Sequence, residues 1–91
     1  MSFTPDFIEE VRSRISLSSI IGLRVKLTKK GRRQTGLCPF HNEKTPSFSV
    51  NDDEGYYHCF GCGAGGDAIT FLREAEGLDF TEAVIRLAES A

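Results

Sequence analysis

The chain has 91 residues, 40% of them hydrophobic and 26% charged, with a formal net charge of −2. That length holds one small domain with a thin core, and no apolar run reaches the ~20 residues needed to cross a bilayer, so no membrane partner is expected. The opening MSFTPDFIEE is acidic and has no apolar stretch, so no secretory signal is expected, and an odd count of three cysteines fits a reducing, cytoplasmic setting better than a disulfide framework.

Thr4, Pro5 and Asp6 read as an N-cap, a proline at the first helical position and an acid favourable to the helix dipole. Phe7, Ile8, Val11 and Ile15 then form an apolar stripe, which predicts a helix over 5–14. A second helical turn is expected over 17–21, capped by Ser16 or Ser18 and stopped by Gly22. From Val25 the period shifts toward two, predicting strands over 25–27, 34–37, 48–50 and 56–59. The joins KKGRR and NDDEG read as hairpin turns, the second with Gly55 at positive φ. Helical spacing returns with Ala68, Ile69, Leu72 and Ala75, and Gly77 ends that run. Asp79-Phe80-Thr81-Glu82 has the form of a capping box, followed by Phe80, Ala83, Val84, Leu87 and Ala88 on one face of a last helix.

Cys38-x-x-His41 and Cys59-x-x-Cys62 are two ligand pairs separated by 17 residues, the pattern of a closed tetrahedral zinc site. His58 is a rival nitrogen donor, but it adjoins Cys59, and neighbours on a strand face opposite ways, which favours His41. Four protein ligands leave no position for a reacting water, so one structural zinc ion and no catalytic residue are expected. Such ions contribute on the order of 10–16 kcal/mol of apparent folding energy, the staple a chain this short needs. A redox role for Cys59 and Cys62 is disfavoured by the second ligand pair. The expected fold is α+β: a single domain, 1–91, with a zinc ribbon and antiparallel sheet over 24–63 and helical flanks at 5–22 and 66–90. One helix precedes the ribbon and two follow it.

CPFHNEKTPSFSV followed by YYHCFGCGAGGDAITFL resembles the N-terminal zinc-binding domain of bacterial DNA primases, which lay down RNA primers at replication forks. The resemblance extends upstream through KLTKKGRRQTGLCPFH and downstream through FTEAVIRLAE, so it covers nearly the whole chain. It implies a Cys-His-Cys-Cys zinc ribbon on Cys38, His41, Cys59 and Cys62, within an enzyme whose polymerase domain and helicase-contacting domain lie elsewhere. The chain then reads as one domain of a longer protein, ending where a linker would begin. The implied partners are a single-stranded DNA template, the polymerase domain in cis or in trans, and the replicative helicase through the parent protein.

Single-stranded DNA asks for cations along its backbone and aromatic faces for its bases. Residues 24–44 hold seven basic residues and one acidic, a net +6 inside an otherwise acidic chain. Lys29, Lys30, Arg32, Arg33 and Lys44 are the expected phosphate contacts, with Lys30, Arg33 and Lys44 preferred over Arg24 and Lys26. Thr45 and Ser47 are candidate hydrogen-bonding contacts in the loop after His41, and Phe48 and Tyr57 are candidate stacking residues. Phe40 and Phe60 are expected in the core, and the acidic NDDEG turn is expected to stay clear of phosphates. The alternative reading is a ribbon that docks onto the polymerase domain or helicase through apolar helix faces.

Overall fold

The computed structural model describes residues 3–42 and 44–90. The first helix, α1 (Pro5–Ser13), starts where its cap dictates: the Thr4 hydroxyl accepts from the Phe7 N–H at 3.1 Å. It buries Val11, with Ile8 and Ile15 partly covered.

The next element, α2 (Leu17–Ile21), follows the expected bounds, but its start is held from a distance. Ser16 makes no side-chain cap bond. Instead Asp52 accepts from the Ser18 N–H at 2.8 Å and from the Ser18 hydroxyl at 2.6 Å. A turn far along the chain thus supplies the carboxylate that a helix N-terminus attracts.

Five antiparallel strands follow in spatial order: β1 (Thr28–Lys30), β2 (Arg33–Gly36), β3 (Phe48–Asn51), β4 (Tyr56–Cys59) and β5 (Gly65–Gly66). The strand expected over 25–27 is displaced. Val25 donates its N–H to Ile21 as the helix unwinds and buries its side chain, so it cannot join a ladder. The first hairpin is centred on Gly31 at φ 64°, which pairs Lys30 with Arg33 and starts the ladder at Thr28. Gly55 turns the second hairpin at φ 78°, as expected. β5 has no expected counterpart: two glycines give no alternation to read, and they pair with Tyr57 and His58 only because the metal loop folds back.

Of the last two helices, the first ends and the second starts where Gly77 and the Asp79 box predict, while the cap at the start of the first is an addition of the structure. α3 (Ala68–Glu76) is capped by Asp67, which accepts from the Thr70 N–H, and ends at Gly77 in the left-handed region. α4 (Phe80–Ser90) opens on a reciprocal capping box, Glu82 N–H to Asp79 at 2.8 Å and Asp79 N–H to Glu82 at 3.2 Å.

Strand alternation then decides what is buried. Phe48 and Val50 of β3 and Tyr57 and Cys59 of β4 face inward and meet Ile20, Ile21, Phe71, Leu72, Val84 and Leu87 from the helices. Phe40, from the first ligand loop, packs against Phe48, Tyr57 and Phe71 with ring centroids 5.9–6.3 Å apart. The metal loops therefore rest on the same aromatic cluster that joins sheet to helices.

Candidate metal centre

The hairpin from β3 to β4 and the loop after β2 bring two ligand pairs together. Cys38 lies just past β2, His41 three residues on, Cys59 at the end of β4 and Cys62 in the turn that follows. Their donor atoms all lie within 4.8 Å of one another. The sulfurs of Cys38 and Cys62 are 3.8 Å apart, and Cys59 Sγ is 3.9 Å from His41 Nδ1. Two sulfurs each ~2.3 Å from a tetrahedral zinc stand about 3.8 Å apart, so the thiol spacing matches the ion.

Backbone amides set both knuckles: Phe40 N–H reaches Cys38 Sγ at 3.3 Å and Gly61 N–H reaches Cys59 Sγ at 3.4 Å. Ser47 Oγ lies 3.5 Å from the Cys59 sulfur. Burial pushes the Cys38 thiol up to about 12. Burial pushes Cys59 the same way, but hydrogen bonds from Ser47 and from the Cys62 and Gly61 amides outweigh it and bring Cys59 down to about 7. Those donors compensate a thiolate, the form that binds metal. His41, and not His58, belongs to the cluster; His58 faces outward, its ring edge-on to Phe60 at 4.7 Å. Three thiolates and one imidazole with no open position suit a structural zinc ion, held by Cys38, His41, Cys59 and Cys62.

The sequence matches the CHC2 zinc-finger family over residues 3–91. The chain belongs to the CHC2 zinc-finger family. It is 57% identical over 84 residues to the DNA primase of Halalkalibacterium halodurans and 54% identical over 84 residues to that of Geobacillus stearothermophilus. Each match covers 92% of this chain and 14% of the relative, so the chain spans about one seventh of those primases. Its fold superposes on the Aquifex aeolicus primase, described as zinc binding and RNA polymerase domains, with a TM-score of 0.86 and 39% identity. That superposition covers 99% of this chain and 22% of the other. This CHC2 chain therefore has the zinc ribbon of its primase relatives, and among its described residues no helix is long and apolar enough to cross a membrane.

The expected nucleic-acid contacts of this CHC2 domain are scattered by the fold. Phe48 and Tyr57 are 0% and 2% exposed, and their stacking expectation is corrected: both rings lie inside the core, because Cys59 must face inward and Tyr57 shares its side of β4. Phe60, expected in the core, is 67% exposed. Ser47 is half-buried against the Cys59 sulfur, while Lys44 and Thr45 are exposed in the loop after His41. Arg32 sits at the first hairpin tip. Lys29 pairs with Gln34 and so falls on the opposite side of the sheet from Lys30. Arg24 pairs with Glu76 at 3.4 Å, a structural use of that cation.

What the fold does assemble is an outward sheet face. Thr28, Thr35, Ser49, His58 and Gly65 form one unbroken row across all five strands. Beside it Lys30 faces Arg33, and Asn51 faces Tyr56. Tyr56, His58 and Phe60 were missing from the expected contacts. The alternation in Tyr56-Tyr57-His58-Cys59 contains them once a buried ligand at Cys59 fixes the parity.

Proposed function

We propose that this chain is the zinc-binding, template-binding module of a bacterial DNA primase. It would hold single-stranded DNA on the outward sheet face, help recognise the site where primer synthesis begins, and present the template to the polymerase domain. The observation that carries the reading is the company on that face: Lys30 and Arg33 as cations, with Tyr56, His58 and Phe60 as exposed rings, opposite a closed core. Stacking platforms beside a cationic track are what a single strand requires. The zinc ion would shape this surface and take no part in chemistry. Primer synthesis, as template-directed RNA polymerisation in the cytoplasm, would belong to the parent enzyme, as would any contact with the replicative helicase.

A second surface supports docking onto the polymerase domain. Leu23 is 82% exposed beside a groove lined by Ile20, Arg24, Leu72, Glu76 and Arg86, on the helical side away from the sheet face. An exposed leucine at such a groove fits a protein neighbour.

Anisotropy titrations of labelled single-stranded oligonucleotides at two salt concentrations test the DNA reading. Binding should weaken with salt, Lys30→Ala should weaken it and flatten the salt slope by about one, and Lys29→Ala should leave it unchanged. Salt-independent binding, or equal effects of the two lysines, would overturn the assignment of this face.

A further inference from the structure

The outward face carries two clefts that share no residue. The larger, about 540 Å3, lies over β1 and β2, where Lys26, Thr28 and Lys30 face Thr35 and the loop residues Thr45 and Pro46. The smaller, about 80 Å3, lies over β4, where Tyr56, His58 and Phe60 stand at alternate positions. The clefts adjoin where Lys30 pairs with Arg33 and Thr35 with Ser49.

Their charges differ. Every charged side chain lining the larger cleft, among the described residues, is a cation. The smaller cleft has the cation Arg33 but also the Glu54 carboxylate, which accepts from the Tyr56 hydroxyl and would repel a phosphate. Phosphates are therefore drawn to β1 and β2, while the β4 side offers ring faces.

The larger cleft also has the chemistry of a sugar–phosphate backbone. The hydroxyls of Thr28, Thr35 and Thr45 can donate to phosphate oxygens beside the two ammonium groups. Leu37, 49% exposed, and Pro46 offer apolar surface to the carbons of a sugar. Lys26, which the sequence placed below Lys30, lines this cleft two positions before Thr28. Gly36 lets that segment close on β2, since a Cβ there would meet Lys26 O at 2.6 Å.

Between the clefts β3 presents only the small side chains of Ser49 and Asn51. β2 and β4 are two strand spacings apart, roughly 10 Å, a distance that one nucleotide can bridge from phosphate to base.

We propose that the cleft over β1 and β2 is a separate sugar–phosphate seat, with Lys26 as a phosphate contact and Thr28 and Thr45 as hydrogen-bonding contacts, and that bases reach across β3 to stack on β4. The inference rests on the proposed binding of single-stranded DNA to this face and divides that face into two parts. The first part holds any strand by its backbone; the second adds stacking that is sequence-tolerant.

The test titrates a labelled oligothymidine and an abasic strand of equal length against the zinc-loaded protein at two salt concentrations. The abasic strand should bind more weakly than oligothymidine, with the same salt slope. Lys26→Ala should weaken both strands by the same factor and flatten both slopes by about one. Thr28→Val keeps the side-chain shape and should weaken both strands about two- to tenfold, the value of one hydrogen bond. Tyr56→Ala should weaken oligothymidine about 5- to 150-fold and leave the abasic strand and the slopes unchanged. Oligothymidine binding that is indifferent to Lys26→Ala and Thr28→Val, an abasic strand that does not bind, or equal weakening of both strands by Tyr56→Ala would overturn the two-part division while leaving DNA binding in place. Failure of the wild type to bind either strand would overturn the proposed function and this inference with it.

Discussion

Gly61→Ala isolates the geometry of the metal site from the strength of the fold. Gly61 is not at positive φ, so alanine meets no backbone penalty there. Its Cβ would instead lie 2.9 Å from His41 Nε2, 3.1 Å from His41 Cε1 and 2.9 Å from Ser47 Oγ. Ordinary contact begins near 3.4 Å, so the imidazole must retreat by about 0.5 Å. A metal ligand tolerates about 0.2 Å. Ser47 cannot absorb the strain, because its hydroxyl is set against the Cys59 sulfur. The expected result is zinc affinity lowered about 10- to 100-fold, or about 1.4 to 2.7 kcal/mol, as for other changes just outside a metal's ligands. Competition with a chromogenic chelator measures the affinity, and the visible spectrum of the cobalt-substituted protein reports the ligand field. Gly63→Ala is the control: it places a Cβ in open space at φ 83°, so it should cost stability without altering the cobalt bands. A Gly61→Ala protein with zinc affinity within about twofold of wild type and an unchanged cobalt spectrum would refute the reasoning.

Chelating the metal should unfold the ribbon, read as loss of circular dichroism that returns with added zinc. Zinc binding must displace the Cys38 proton, whose metal-free thiol is pushed up to about 12 by burial; acidification therefore opposes binding, and affinity should fall about tenfold per pH unit for each thiol proton displaced. Asp52→Ala removes both bonds to Ser18 and should lower stability by about 1 to 2 kcal/mol in denaturant melts, with α2 losing amide protection first. Phe48→Ala should cost about 3 to 5 kcal/mol, whereas Phe60→Ala should leave the melting temperature nearly unchanged and weaken oligonucleotide binding.

Local chemistry was legible where a residue's own neighbours suffice. Thr4-Pro5-Asp6, Gly77 and the Asp79 to Glu82 box mark helix ends through local geometry spanning three or four residues, and each of those ends falls where the sequence puts it, whereas the Asp67 cap on α3 was not singled out. The two ligand pairs were legible for the same reason: a metal knuckle closes on itself within four residues, and only the pairing of the two knuckles needs the fold.

Facing was not legible, because a strand's alternation defines two sides without saying which one is covered. Phe48 and Tyr57 read equally well as stacking rings until the helices cover their side, and Phe60 read as core until the turn after Cys59 placed it outside. The Asp52 cap on α2, the separation of Lys29 from Lys30 and the row through Ser49 and His58 join residues far apart in the chain. The sequence by itself determined the helices, the turns and the zinc ligands, since those rest on short-range bonds. Tertiary structure alone decided the open face, since which side of a sheet meets solvent depends on what packs against the other.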